Sequence, residues 1–339
     1  MGIKEIARKA GVSIATVDRV LHNRGRVSPE TRKKIEKIIR DHDYHPNLIA
    51  RSLKSMGQKT IALLIPQPEE DEYWEQAWKG FENQFPRVKQ QGIEVESFFY
   101  SLRDQNQFTA RAEEIMNTKP DGLIMAPNFL RESIRLFDSC QSAAIPVVMF
   151  DTIPPGTDPV CFIGTDSYQA GRLGAHLLGM ISRTQGDMAI FHFDEELSNS
   201  PHMMEKERGF FHYLGETGRE GRSFVINSSQ DYESRLEKIF DTLDIAGALV
   251  STSKTYLVGS YLKKTGNRSI KLAGFDLVSK NIELMQEGYI DILIHQNPGR
   301  QAARSLNTLV NFMVYKEKVK KQRLFPTDII TKVNLDSYL

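Results

Sequence analysis

The sequence predicts an all-α helix-turn-helix head with a hinge helix behind it, and then an α/β body built on parallel sheets. Three observations carry this. Two short amphipathic helical patterns flank Gly11-Val12-Ser13; the first 57 residues are strongly basic; and from residue 60 apolar, β-rich runs alternate with amphipathic helices.

In the head, Ile3, Ile6, Ala7 and Ala10 share one face of the first helical pattern, and Val17, Val20 and Leu21 share one face of the second. Small Ala7 lets the second helix cross close by. Gly11 can take the left-handed backbone that ends a helix, and Ser13 can cap the next through its hydroxyl. Ile14, Ala15, Asp18 and Arg19 then point outward, where a DNA major groove would meet them. Charge separates this reading from an ordinary helical hairpin. Residues 1–57 carry thirteen Lys/Arg against six Asp/Glu, a net +7, whereas the whole chain is +1, so the remainder is acidic. A basic head on an acidic body fits a phosphate-binding module joined to something else.

Ser28-Pro29-Glu30 offers a cap with proline at the first helical position, and Ile35, Ile38 and Ile39 continue a third helix that closes a small core. In Tyr44-His45-Pro46-Asn47-Leu48-Ile49-Ala50-Arg51-Ser52-Leu53, Asn47 can cap a helix of about two turns, marginal alone in water. Leu48, Ile49 and Leu53 have no evident intramolecular core. This segment reads as a hinge that folds on DNA, against the plainer reading of a linker.

The body's apolar runs are Ile61–Ile65, Ile93–Phe99, Gly122–Ala126, Val147–Phe150, Met188–Phe193, Phe224–Ile226, Ala248–Val250, Ile270–Phe275 and Ile290–Ile294. Near-continuous apolarity marks parallel strands covered on both faces, with right-handed crossovers. Ligands of such sheets bind beyond the carboxyl ends of strands. Those ends hold Asp71-Glu72-Tyr73-Trp74, Ala126-Pro127-Asn128, Phe150-Asp151-Thr152, Ser251-Thr252-Ser253, Gly274-Phe275-Asp276 and His295-Gln296-Asn297. Acids, amides, hydroxyls and adjacent aromatics suit a neutral polyhydroxylated ligand, since carboxylates accept paired hydroxyls and rings pack on a sugar's apolar face.

A chain of 339 residues divides into two or three domains, and 40% hydrophobic with 26% charged residues describes a soluble globular protein. No apolar run approaches the ~18 residues of a membrane span, and the charged N-terminus is no signal peptide, so the expected location is the cytosol. Cys140 and Cys161 read as small buried hydrophobes. His42-x-x-His45 lacks the spacing of a helical zinc site, so no metal or other cofactor is expected. No nucleophile elbow, P-loop or dinucleotide fingerprint appears, which argues against an enzyme.

The head motif Ile6-Ala-x-x-Ala-Gly-Val-Ser-x-x-Thr16-Val17-x-Arg19-Val20, then Val27-Ser28-x-x-Thr31-Arg32 and Tyr44-x-Pro46-Asn47-x-x-Ala50-x-x-Leu53, resembles that of lactose-repressor/galactose-repressor (LacI/GalR) regulators. The body, with Ile145-Pro146-Val147-Val148 before Asp151, Gly274-Phe275-Asp276 and Gln296, resembles ribose-type periplasmic sugar-binding proteins. The resemblance implies a helix-turn-helix domain over 1–46, a hinge helix and linker over 47–59, and a two-lobed, type I periplasmic-binding-protein-like body over 60–339. Lobe 1 would comprise about 60–182 and 297–322, and lobe 2 about 183–296 and 323–339. It further implies that Ser13 and Thr16 hold phosphates, Ile14 and Ala15 face bases, and Arg19 reaches a guanine, whose O6 and N7 match its fork. Ala50 and Leu53 would enter the minor groove, Leu53 as a wedge that bends the duplex. Asp71, Tyr73, Trp74, Asn128, Asp151, Lys206, Thr252, Asp276 and Gln296 are the expected ligand contacts.

Some positions depart from the family pattern. Asp18 stands where serine is usual, and either pairs with a nearby arginine or accepts from a cytosine amine; His22 replaces a common asparagine. Ser251-Thr252-Ser253 replaces an Asn-Asp pair, and Lys206 stands where arginine is commoner, with Arg208 a rival. The expected protein is a ligand-controlled repressor that binds double-stranded operator DNA as a homodimer, touches no membrane, and responds to a sugar or sugar derivative. A nucleobase corepressor is the alternative ligand, and a solute-binding protein with no DNA role is the alternative class. Glu69-Glu70-Asp71-Glu72 reads as a solvated acidic run, and no leucine heptad follows residue 324.

Overall fold

The computed structural model describes residues 3–21, 27–41, 58–182 and 186–339, and the chain divides into two units, residues 1–57 and 58–339. The first unit contains helices α1 (Ile3–Ala10), α2 (Ile14–Leu21) and α3 (Pro29–Asp41). Ile6, Ala7, Ala10, Val17, Val20 and Ile35 are buried together, with Val12, Val27 and Ile38 at the margin. Gly11 takes the left-handed backbone at φ +68°, and Val12 N–H donates to the Ala7 carbonyl at 3.0 Å, which closes α1. Ser13 then caps α2, its hydroxyl accepting from Thr16 N–H at 3.2 Å, and Ser28 caps α3 by accepting from Thr31 N–H at 3.3 Å. His22, Ala50, Leu53 and the rest of the expected hinge helix lie outside the described residues; the side chain of Asp18 does too.

The second unit holds two six-stranded sheets. The first contains β1 (Lys59–Pro66), β2 (Ile93–Tyr100), β3 (Gly122–Met125), β4 (Val147–Asp151), β5 (Cys161–Gly164) and β11 (Gln322–Leu324), in the order β11-β5-β4-β3-β1-β2 and parallel throughout. The second contains β6 (Asp187–Phe193), β7 (Gly221–Ile226), β8 (Ile245–Val250), β9 (Lys271–Phe275), β10 (Ile292–His295) and β12 (Asp328–Ile330), in the order β12-β10-β9-β8-β6-β7. Only β12 in this sheet runs antiparallel. The central strands are buried from end to end, as parallel strands covered on both faces must be.

Two expectations need correcting. Helix α8 (Ser167–Ile181), expected in lobe 1, packs on the second sheet: Ala170, Ala175 and Leu178 share a core with Met188, Ile190, Leu249 and Phe275. The chain therefore enters lobe 2 just after β5. Strand β11 pairs with β5, so residues 323 and 324 belong to lobe 1, and the last crossing follows them. An amphipathic pattern says that a helix covers a sheet, not which one. Strands β5, β11 and β12 were also not anticipated; the last two are three residues long, too short for a period to show.

Helix α8 crosses α9 (Pro201–Thr217) at two glycines. A Cβ on Gly171 would lie 1.9 Å from the Lys206 carbonyl oxygen, and one on Gly209 would lie 2.0 Å from that of Tyr168. Gly179, on the same helix, has nothing within 4 Å of its hypothetical Cβ. Gly171→Ala and Gly209→Ala should each destabilise the body by about 1–3 kcal/mol through overpacking. Gly179→Ala should be neutral or stabilise by up to about 1 kcal/mol. Thermal unfolding of the three variants checks this, and equal midpoints would contradict the close crossing.

Candidate functional site

In the helical unit, the capping hydroxyl of Ser13 lies 2.9 Å from the Thr16 hydroxyl, Oγ to Oγ1, at the start of α2. Ile14 is 45% exposed, Ala15 and Arg19 are exposed, and Thr16 is half-buried. The start of α2 thus presents two hydroxyls, a methyl-bearing surface and a guanidinium on one outward face. That set can serve phosphate contact and base-edge contact together.

In the α/β unit, the nine expected ligand residues line one cavity: Asp71, Tyr73, Trp74, Asn128, Asp151, Lys206, Thr252, Asp276 and Gln296. Leu102, Ser167, Glu195, His202, Ser253 and Lys254 complete the wall. Strand ends deliver most of them. Asp151 ends β4 and Asp276 follows β9, both left-handed, at φ 71° and 65°. Such backbone is uncommon outside glycine and tolerated best by Asn and Asp. It turns the chain sharply where the sheet stops and leaves the carboxylate in the cleft.

Each carboxylate has named donors. Asp71 caps helix α4 (Glu72–Glu82) by accepting from Tyr73 N–H at 2.8 Å, and accepts the Ser253 hydroxyl from lobe 2 at 2.6 Å. The Tyr73 hydroxyl donates to Asp151. Asp276 accepts Gln296 N–H at 3.0 Å and the Gln296 amide at 2.7 Å. Asp276 does not cap the following helix: α12 (Ser279–Gln286) begins after Val278 and receives no side-chain cap. Gln296 is held in turn by the Thr165 hydroxyl, which donates to its Oε1 at 3.0 Å. Asn128 accepts from Tyr100 at 2.8 Å. The rings of Tyr73 and Trp74 meet edge to face at 5.1 Å, and both are buried.

Lys206, and not Arg208, faces the cavity. Its ammonium donates to the Ser251 carbonyl at 2.9 Å and sits 3.8 Å from the centre of the Phe275 ring. Arg208 instead pairs with Glu205 at 2.6 Å on the surface. The acidic run is not simply solvated either. Glu72 accepts Ser279 N–H and hydroxyl, both at 2.7 Å, and Gln76 donates to the Leu277 carbonyl at 2.8 Å, so helix α4 is fastened to lobe 2.

Burial dominates the electrostatics. It pushes Asp151 up to about 6, against the Tyr73 hydrogen bond and the charge of Lys206, which favour ionisation. It pushes Glu195 up to about 7, opposed by Lys254, Ser200 and Lys206 and reinforced by Asp151. Burial also raises Asp71, lowers Lys206 and keeps His202 well below the usual imidazole value, hence neutral. Ser253 is reached in the sequence through its strand-end run, but Leu102, Ser167, Glu195, His202 and Lys254 are missed there. Glu195 follows β6, and applying the strand-end rule to Met188–Phe193 would have reached Asp194-Glu195. His202 comes after a 3₁₀ turn and Pro201, where no periodic signal points inward.

These shifts fix a pH dependence. A carboxylate raised by folding binds more protons folded than unfolded, so its stabilising effect is complete below the unfolded value and lost as pH rises through the folded one. For Glu195 that window runs from its ordinary 4.5 to about 7. Its neighbours there are Ser200, Lys254, Lys206, Asp151 and His202. Glu195→Gln should therefore flatten the decline in thermal midpoint across this range. An unchanged slope would contradict the buried placement.

A model of the periplasmic binding protein domain matches residues 61–317, and a model of bacterial regulatory proteins of the lacI family matches residues 2–47. The chain is 24% identical over 322 residues to the sucrose operon repressor of Lactococcus lactis subsp. lactis, spanning 91% of this chain and 92% of that protein. It is similar to a LacI transcriptional regulator from Bacteroides fragilis, with a TM-score of 0.78 and 26% identity over 83% of this chain and 100% of that one. It shares the fold of a solute-binding protein from Bacillus halodurans solved with myo-inositol, with a TM-score of 0.71 and 21% identity over 83% of this chain and 97% of that one. The outward face of α2 and the two-lobed cavity are the parts of a DNA-binding transcriptional regulator: the chain belongs to the lacI family of bacterial regulatory proteins, with a periplasmic binding protein domain as its body.

Proposed function

We propose that this regulator acts in the bacterial cytoplasm as a two-fold dimer on operator DNA, and that a polyhydroxylated small molecule in the interlobe cavity controls it. One observation carries the ligand half. Acidic, amide, hydroxyl and aromatic side chains from both lobes converge on a single cavity, and the lobes are closed on it by Ser253 to Asp71 and Arg103 to Asp194. Relatives described as a sucrose operon repressor and as a protein solved with myo-inositol support a sugar or sugar derivative as the occupant. A two-fold dimer would present its two heads to paired half-sites one helical turn apart. The effector must bind the two conformations of the body unequally to change DNA affinity. Preference for the DNA-free form gives induction, and the opposite preference gives corepression.

In this reading Ser13 and Thr16 hold phosphates, Ile14, Ala15 and Arg19 read bases, Asp18 and His22 also contact the DNA, and Ala50 and Leu53 enter the minor groove. Arg19→Ala should cost about 1–3 kcal/mol on operator DNA, with no matching loss on scrambled DNA at the same salt concentration, and should leave the fold intact. Titration of both DNAs measures the ratio, and an unchanged ratio removes Arg19 from base reading.

On the body side, Asp276→Asn should weaken the effector at least tenfold. The amide offers one acceptor oxygen in place of two, and it turns a donor toward Gln296, which already donates twice to Asp276. Calorimetry with a sugar found by a thermal-shift screen tests it. Equal affinity with preserved stability takes Asp276 out of the site.

A further inference from the structure

Charge in the cavity is unevenly matched. Four carboxylates line it, Asp71, Asp151, Glu195 and Asp276, against the ammonium groups of Lys206 and Lys254. Lys254 is already committed, lying 2.6 Å from Asp194, a buried carboxylate that also receives Arg103 at 3.2 Å and Ser228. Lys254 nonetheless bears on Glu195 and Asp71, so two ammonium groups face four acids, and Lys206 gives one of its donors to the Ser251 carbonyl. Among the described residues no arginine lines the cavity.

The acceptors are not equally engaged. Both oxygens of Asp71 and both of Asp276 hold protein donors. Asp151 accepts on Oδ1 from Tyr73, and Glu195 accepts on Oε2 from Ser200 at 3.0 Å, and each keeps its other oxygen for a ligand. Beside Glu195, neutral His202 has its Nε2 at 3.9 Å from Oε2, while its buried Nδ1 has no hydrogen-bond partner. His202 lines the cavity, and among the described residues its ring nitrogen is one of the few buried polar atoms that the protein leaves without a partner.

We propose that the effector is an amine-bearing polyol, a sugar or cyclitol with a protonated amino group, and that Glu195 together with Asp151 selects it. This rests on the reading of the cavity as a polyol site. A hydroxyl offers a carboxylate one neutral donor. An ammonium offers up to three charge-assisted donors and offsets the excess negative charge that burial leaves unsolvated. A uronic acid or sugar phosphate would instead add negative charge to a site where carboxylates already outnumber ammonium groups four to two, a placement the carboxylates oppose.

The test is calorimetry on the full chain at pH 7 with three matched sets, built on glucose, galactose and mannose. Each set contains the parent sugar, its 2-amino-2-deoxy form, its uronic acid and its 6-phosphate. In the set whose stereochemistry fits, the amino sugar should bind at least tenfold more tightly than its parent, and the acid and phosphate more weakly than the parent. A parent that equals or exceeds its amino form, or an acid or phosphate that binds most tightly, overturns the proposal and leaves the polyol reading standing. Binding by no member of any set removes both. Glu195→Gln should reduce the amino-to-parent affinity ratio at least tenfold in a variant whose cooperative unfolding is retained. Rescue by Glu195→Asp, with the ratio partly restored, separates charge selection from loss of shape, and an unchanged ratio in Glu195→Gln takes the selecting role from Glu195.

Discussion

Holding several carboxylates in one closed cleft is the constraint around which the body is arranged. An ionised carboxylate taken from water without partners is strongly unfavourable, so each must be satisfied by donors or shifted toward its protonated form. Both solutions coexist here. Asp276 is satisfied by two donors from Gln296, which Thr165 and the Gln301 amide hold in turn, the latter reaching the Gln296 carbonyl at 2.6 Å. Asp151 and Glu195 are satisfied less completely, and burial moves them up instead. The left-handed backbone at Asp151, Asp194 and Asp276 belongs to the same arrangement. Three strands end in an aspartate that bends the chain away and leaves a carboxylate behind. Local strain of this kind persists where the surrounding sheet over-determines it.

The two lobes are joined at short crossings where strands of one sheet hand over to helices or strands of the other. Thr165 follows β5 and Gln296 follows β10, and their side chains are bonded to each other at 3.0 Å. The first two crossings are therefore tied together directly beside Asp276. A ligand that competes for Asp276 or Gln296 acts on the hinge itself, with no need for a longer path. Further out, Glu72 with Ser279, Gln76 with Leu277 and Arg103 with Asp194 fasten the lobes at their rims. These contacts are polar and few, which is the composition expected of an interface that opens and closes.

Much of this was legible in the sequence, for a physical reason. Parallel strands buried on both faces must be apolar along their length, so the central strands β1, β3, β4, β6, β8, β9 and β10 stand out as apolar runs, whereas the edge strands β2 and β7 are only partly buried. The strand-end rule then brought Asp71, Asp151, Thr252, Asp276 and Gln296 to one cavity without any coordinates. The rest was hidden because its determinants are non-local. Which sheet α8 covers depends on Gly171 and Gly209 meeting backbone carbonyls on the neighbouring helix, a fit between residues about forty apart. Strands β11 and β12 exist only because β5 and β10 offer them edges. Lys206 and Arg208 differ by two positions on one helix, and it is Lys206 that meets the Phe275 ring and the Ser251 carbonyl of other elements.

The same comparison of near-equivalent residues explains why the site is built on lysine. Arginine at position 206 would bring a wide, planar fork suited to bidentate recognition of an anion. The space here is bounded by the Phe275 ring at 3.8 Å and by a carbonyl, which fit a compact ammonium. Three carboxylates, Asp276, Asp151 and Glu195, oppose the burial that lowers the affinity of that amine for its proton. Lysine and its acids are thus coupled: the acids favour the charged form of Lys206, and Lys206 favours the ionised forms of Asp151 and Glu195. Ligand groups entering this cluster inherit that balance, so the protonation of the cavity and the charge of its occupant are one linked equilibrium.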